Sequence, residues 1–210
     1  MEWLTAIRKS IEYMEGHLCD NISAQDVAEQ VHISPLHFQR GFLIMTGYSV
    51  SEYIRNRKLF KVCGRKVWIS GQDNSQFAKF WEKAHASGMV QELKGATNPA
   101  ENVTKSNILG VSCVEKNPSN RAFDFYIASE CSGLEGYEEY EIPAGSWAIF
   151  TNKGELPMSL VNAEMYAFTE WLPQSGYAHA FAPELEVYLA DDKDTVEFWL
   201  PIVEKAILGI

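Results

Sequence analysis

The chain has no run of about eighteen apolar residues, the length a helix needs to cross a bilayer, so no membrane span is predicted. Its start, MEWLTAIRKS, enters an amphipathic helix and lacks the long apolar stretch of a secretory signal. A cytoplasmic protein is expected. The four cysteines, Cys19, Cys63, Cys113 and Cys131, form no C-x-x-C pair and have no histidine at metal spacing, which predicts reduced thiols and no metal site. The five histidines, His17, His32, His37, His85 and His179, do not cluster in sequence, and no Ser-His-Asp or Cys-His arrangement is present. No catalytic residue and no cofactor is therefore predicted. Positive charge is scarce too: 18 Lys and Arg face 28 Asp and Glu, a net charge of −10.

What the chain does have is apolar and aromatic material, 46% and 12% of 210 residues, enough for one large core or two modest ones. Two domains are expected, residues 1–59 and 60–210. The acidity lies mostly in the second. Residues 1–60 carry six basic and seven acidic side chains, the remainder twelve and twenty-one.

Two helix starts sit within SAQDVAEQVHISPLHFQRGF, residues 23–42. Ser23 suits an N-cap before AQDVAEQV, and Ser34 suits another, with Pro35 at a first position where a missing N–H costs nothing. Val27, Ala28 and Val31 form one apolar stripe and Phe38, Phe42 and Met45 the next, giving each helix one buried face. Outward from the second helix project Leu36, His37, Gln39 and Arg40. Gln pairs well with adenine and Arg with guanine when a helix lies in the major groove. From Trp3 to Leu59 the chain resembles the first half of the DNA-binding domain of the AraC/XylS family, on the segments WLTAIRKSIEYMEGHL, ISAQDVAEQVHIS, HFQRGF, TGYS and SEYIRNRKL. That resemblance places Leu36, Gln39 and Arg40 at base-facing positions, with Ser34 and His37 beside them. It makes Arg55 and Arg57 the start of a linking helix. The family's second helix-turn-helix does not follow Leu59. Three to five phosphate contacts would each add about −0.9 to the salt slope, so useful affinity calls for a homodimer or the second unit.

After Phe60, with no Gly, Ser or Pro linker, the hydrophobic period changes from 3.6 to 2, which predicts a stiff junction. KVCGRKVWIS reads as a strand, SQFAKFWEKAHAS as a helix presenting Phe77, Phe80, Trp81 and Ala84 and ended by Gly88, and residues 95–106 as a loop. ILGVSCVEK and AFDFYIASE read as strands joined by an NPSN turn. The order then repeats. YEEYEIPAGSWAIF is a strand with a Pro-Ala-Gly break, and LVNAEMYAFTEWLPQSG a helix with Val161, Met165, Phe168 and Leu172 in line. ELEVYLA and TVEFWLPIV are the last strands. The expected fold is α+β: an all-α helix-turn-helix domain, then two tandem strand-helix-strand-strand modules bordering a shared groove.

Alternation within the strands predicts the groove's lining. Leu185, Val187 and Leu189 should face a helix, turning Glu184, Glu186 and Tyr188 to the opposite side. Phe123, Phe125 and Ile127 likewise go under a helix with Tyr126 opposite, and Val196, Phe198 and Leu200 go in with Glu197 and Trp199 opposite. Trp68 and Trp147 join that side. Glu186 ringed by Tyr126, Trp147, Tyr188, Trp199 and Trp68 would suit a lipophilic cation, because aromatic faces attract positive charge and a partly buried carboxylate supplies the counter-charge. From Lys61 to Pro201 the chain also resembles the GyrI-like effector-binding family, on IPAGSWAIF followed by Gly154, EWLPQSGY, P-x-x-E-x-Y at Pro183 to Tyr188, and EFWLPI. In that family the Glu of P-x-x-E-x-Y meets cationic ligands, and it maps onto Glu186.

Together these features predict a ligand-responsive AraC-type transcription regulator that binds promoter DNA and a small hydrophobic, cationic effector of the multidrug type. Two other readings share the sequence. One is a sequestering protein without DNA binding. The other is a GyrI-like hydrolase of cyclopropane-containing compounds, in which Glu186 with Tyr126 or Tyr188 does general-base work.

Overall fold

The computed structural model describes residues 3–17, 20, 22–57, 59–116 and 121–205. Cys19, Lys58 and the NPSN turn at residues 117–120 lie outside the described residues. The chain divides into two compact units, Met1–Leu59 and Phe60–Ile210.

The first unit is four helices, α1 (Trp3–Gly16), α2 (Ala24–Gln30), α3 (Pro35–Thr46) and α4 (Val50–Asn56). Ser23 closes a capping box on α2: its hydroxyl accepts from the Asp26 amide while the Asp26 carboxylate accepts from the Ser23 amide at 2.7 Å. Ser34 occupies the N-cap position of α3, yet its side chain makes no capping bond. Its carbonyl accepts from the Phe38 amide, and Pro35 starts the helix. Met14, Val27, Ala28, Val31, Phe38, Phe42, Val50 and Ile54 make the core. Met45, expected in that stripe, is exposed instead, because the stripe ends at Phe42 and the last turn of α3 projects past it. The far edge of the Trp3 indole packs on α3 at Gly41, where any Cβ would fall 2.3 Å from the ring.

The second unit is an antiparallel sheet of eight strands with helices on one face. Its elements run β1 (Phe60–Ser70), α5 (Ser75–Ala86), α6 (Met89–Gly95), β2 (Ser106–Ser112), β3 (Ala122–Ser129), β4 (Glu138–Ile142) and β5 (Ser146–Lys153). Then come α7 (Met158–Tyr166), a π turn (Ala167–Trp171), α8 (Leu172–Gln174), β6 (Tyr177–His179), β7 (Glu184–Leu189) and β8 (Thr195–Glu204). The strand order is β4-β1-β3-β2-β7-β8-β5, with β6 paired to β8. The helix between the second module's strands, the helix after β1 and the strands of both modules all match the expected α+β pattern. The Pro-Ala-Gly break, however, separates two strands that lie at opposite edges of the sheet.

That separation shapes the sheet. Seven strands at about 4.8 Å spacing would hold flat edges roughly 29 Å apart, whereas four peptide steps from Ile142 to Ser146 reach about 15 Å. The sheet must curl until its edges approach. Inside the curl Phe60, Val62, Leu109, Val111, Tyr126, Ile142, Trp147, Leu185, Val187 and Trp199 form a second core, all buried. The outer face carries two further clusters. α5 and α6 cover Ile69, Ile108, Phe123, Phe125 and Ile127, and α7 covers Val196, Phe198 and Leu200.

The α7 face that packs inward is Leu160, Ala163 and Ala167. The expected stripe holds in its second half, where Phe168 and Leu172 pack against this cluster, and fails in its first, where Val161 and Met165 are exposed.

Candidate functional site

Register fixes which side chains share a face. Ile127 pairs with Gly110, Gly110 with Glu186, and Glu186 with Phe198, so these four make one row across β3, β2, β7 and β8. Ile127 and Phe198 lie under the helices, and Glu186 therefore does too. The neighbouring row, Tyr126, Val111, Leu185 and Trp199, faces the curl. This reverses the expected orientation of β7. Leu185 and Val187 point away from the helices, and Glu186 and Tyr188 point toward them. Alternation had identified two faces correctly, but a sheet buried on both sides gives apolar side chains to either.

The face under the helices opens into a cleft of about 1510 Å³ between the α5–α6 pair and α7. Glu186 is on its floor, and the Tyr188 hydroxyl donates to Glu186 Oε2 at 2.7 Å. Gly110 is what leaves room for the carboxylate: a Cβ there would sit 2.4 Å from Glu186 Oε2. Burial pushes the Glu186 pKa up to about 7, opposed by the Tyr188 hydrogen bond and reinforced by the charges of Glu164 and Glu184. Burial also raises the Tyr188 phenol, which keeps it a neutral donor. Trp81 meets the Tyr188 ring edge-on at 5.3 Å, and Phe168 stands 5.9 Å from Phe198 and 6.3 Å from His179, stacked on the imidazole. His179 Nε2 and Glu184 Oε1 are 2.9 Å apart. The cleft can thus surround a lipophilic group with rings and oppose a positive charge with carboxylates.

Of the six side chains expected to meet in this site, only Glu186 and Tyr188 line the cleft. Tyr126, Trp147 and Trp199 are buried in the curl on the opposite face, Trp147 and Trp199 with ring centroids 6.0 Å apart and Tyr126 against Tyr140. Trp68 is 57% exposed, beyond the end of that core. Besides Tyr188 the cleft's aromatics include Phe77, Trp81, Phe123, Phe168 and Phe198, which the sequence assigned to helix-on-sheet packing, and the exposed Phe181, to which it assigned no role. Trp81 does pack, against the cluster under α5 and α6 and edge-on to Tyr188, and its ring also borders the opening. Glu164 was missed because the outward face of an amphipathic helix carries no sign of what it overlooks.

In the helical unit Ser34, Leu36, His37, Gln39 and Arg40 are all exposed around the start of α3. His37 is partly engaged, its ring 5.2 Å from that of Trp3. Arg57 is committed within its own unit, donating from Nη2 to Glu15 Oε2 at 2.6 Å while the Tyr53 hydroxyl donates to Glu15 Oε1 at 2.8 Å. It is thereby lost from the expected set of phosphate contacts. The side chain of Arg55 lies outside the described residues.

A curled sheet whose helix-covered face opens on an aromatic, acidic cleft defines a small-molecule binding protein. Residues 54–203 match the model of the GyrI-like small molecule binding domain, and the chain belongs to that family. It is also similar to the uncharacterized HTH-type transcriptional regulator YbfP of Bacillus subtilis (strain 168), 39% identical over 59 residues, 28% of this chain and 20% of that protein. A second relative is the right origin-binding protein of Escherichia coli (strain K12), 38% identical over 61 residues, 29% of this chain and 21% of that protein. The matched stretches thus span about a fifth of these curated relatives. Among solved structures, SAV2435 bound to tetraphenylphosphonium superposes with a TM-score of 0.58 at 19% identity, covering 69% of this chain and 89% of that one, a likeness of fold. No helix among the described residues is long and apolar enough to cross a membrane.

Proposed function

We propose that the protein is a ligand-responsive transcription regulator of AraC type, in which the cleft takes a small hydrophobic cation and residues 1–59 bind promoter DNA. The observation that carries the ligand half is Glu186, an acid on the floor of an aromatic cleft with a pKa of about 7, so that it is substantially ionised at neutral pH and strengthened as an anion by an incoming cation. Tetraphenylphosphonium, the molecule bound to the fold neighbour SAV2435, is the natural first probe. The DNA half is supported by two relatives, one named as an HTH-type transcriptional regulator and one as an origin-binding protein, whose matched stretches have the length of the helical unit, and by the exposed Gln39 and Arg40 at the start of α3. A ligand that favours one DNA-binding state by 5- to 150-fold supplies about 1 to 3 kcal/mol of coupling.

The test is a mobility shift on duplexes selected from a random pool, with and without tetraphenylphosphonium. Arg40→Ala should abolish the shift while tetraphenylphosphonium affinity stays unchanged. An unaltered shift in that variant would remove α3 from the DNA interface. Sequestration without DNA binding is the second reading, favoured by the net charge of −10 and the commitment of Arg57 to Glu15. It is selected if the probe binds at micromolar concentration and no duplex is enriched even at low salt.

A further inference from the structure

The cleft holds more negative charge than one monovalent cation neutralises. Glu184 is matched by His179, and Glu186 is held by Tyr188. Glu164, one turn before the π segment at the end of α7, lines the same cleft, and its carboxylate makes no hydrogen bond or ion pair among the described residues. The cleft walls partly desolvate its carboxylate and push its pKa up, and Glu184 pushes it further, while the charge of Arg121 draws it back. Arg121 itself is occupied: its guanidinium donates to the Gly71 carbonyl at 2.8 Å and to the Asn74 side chain, and lies over the Phe77 ring at 5.7 Å. A monocation seated at Glu186 therefore leaves a second carboxylate on the cleft wall, open to solvent and without a side-chain partner, free to pair with a second positive charge.

Two further features bear on what the cleft accepts. Its volume of about 1510 Å³ exceeds the roughly 300–1,000 Å³ of a pocket for one drug-sized ligand. Flanking Glu164 on α7, Val161 and Met165 are exposed apolar side chains that also line the cleft, as does the exposed Leu156. Apolar surface around a second anion suits a flexible hydrocarbon spacer ending in a charge.

We propose that Glu164 is a second anionic anchor, and that the cleft prefers elongated lipophilic dications, one cationic end at Glu186 and the other at Glu164. This specificity rests on the reading of Glu186 as a cation site. It is separable from that reading by comparing two ligands with one spacer and different charge. Decyltrimethylammonium and 1,10-bis(trimethylammonium)decane are titrated calorimetrically into the full chain and into Glu164→Gln and Glu186→Gln. The second ammonium head is strongly hydrated, so without a partner in the cleft it would weaken binding.

The expected result is a dication at least tenfold tighter than the monocation in the wild type. Glu164→Gln should cancel that advantage, weakening the dication at least tenfold and the monocation by clearly less. Both probes should weaken in Glu186→Gln. A dication bound no tighter than the monocation overturns the second anchor and leaves the cation site standing. So does a Glu164→Gln loss of equal size for the two probes. If neither probe binds the wild type, or Glu186→Gln changes neither, the cation site itself fails and the proposal with it. Glu164 is exposed on the surface of α7, and its replacement by an isosteric amide leaves the packed residues Leu160, Ala163 and Ala167 untouched, which a thermal melt verifies.

Discussion

The two faces of the sheet are built from the same strands and do opposite things. Inside the curl, Trp147, Trp199, Tyr126, Leu185 and Val187 close on one another and exclude everything else. Under the helices, one residue further along each strand, Glu186 and Tyr188 open onto a cleft, because α5–α6 and α7 cover the two halves of the sheet and leave its middle strands uncovered. Aromatic rings on a strand are core throughout the closed face, whereas on the other face they are core beneath a helix, as Phe125 is, and binding wall between the helices, as Tyr188 is.

Breaking the closed face should have the largest effect. Trp199→Ala removes a buried indole and should cost about 3–5 kcal/mol of stability, read by denaturant unfolding. Were Trp199 a ligand contact on an open groove, the cost would stay below about 1 kcal/mol and affinity would fall instead.

Next comes the charge on the open face. Burial raises the Glu186 pKa from 4.5 to about 7. Between those values the folded protein keeps a proton that the unfolded chain has released, so this group's contribution to stability falls as pH rises from about 4.5 to 7. The pH-dependent part should amount to roughly 3 kcal/mol and be absent from Glu186→Gln, which a difference between the two unfolding profiles at pH 5 and pH 8 would show. Cation affinity runs the other way, weakening about tenfold for each pH unit below 7 as the carboxylate is protonated.

Gly110→Ala probes the point where the two strands of the site touch. Its Cβ would meet Glu186 Oε2 at 2.4 Å and the Phe125 ring at 3.0 Å. A loss of about 1–3 kcal/mol is expected from overpacking, with cation affinity reduced several-fold because the carboxylate must move. An alanine variant with wild-type affinity would mean that the Glu186 carboxylate does not need its present position. Least affected should be Trp68→Ala. At 57% exposure, on the closed face but beyond its core, it should alter stability by no more than about 0.5 kcal/mol and cation affinity not at all.

The comparison also shows what the sequence could carry. The strands and the longer helices were legible from period and caps, and for β3 and β8 alternation assigned the faces rightly: Phe123, Phe125 and Ile127, and Val196, Phe198 and Leu200, are under helices. It failed on β7, where the face with more apolar residues is the one inside the curl. Curling depends on where β4 and β5 pair, and pairing partners far apart in the chain leave no trace in a local pattern. The seven-residue helix α6 is too short to show a full stripe. On α7 the apolar period picked out Val161 and Met165, which overlook the cleft, while the packed face of Leu160, Ala163 and Ala167 is marked by small size more than by hydrophobicity. Glu186 and Tyr188 were legible as a pair because a two-residue spacing on a strand puts both on one face whichever face that is.

The central claim is that the open face binds a lipophilic cation through Glu186, and it is tested most directly by titrating tetraphenylphosphonium into the wild type and Glu186→Gln at pH 8, with tryptophan fluorescence as the signal. Trp81, whose ring borders the cleft, supplies the reporter. Saturable quenching that weakens tenfold or more in the variant, about 1.4 kcal/mol, is the predicted result. Equal affinity in the two proteins, or no saturable binding to either, would contradict it.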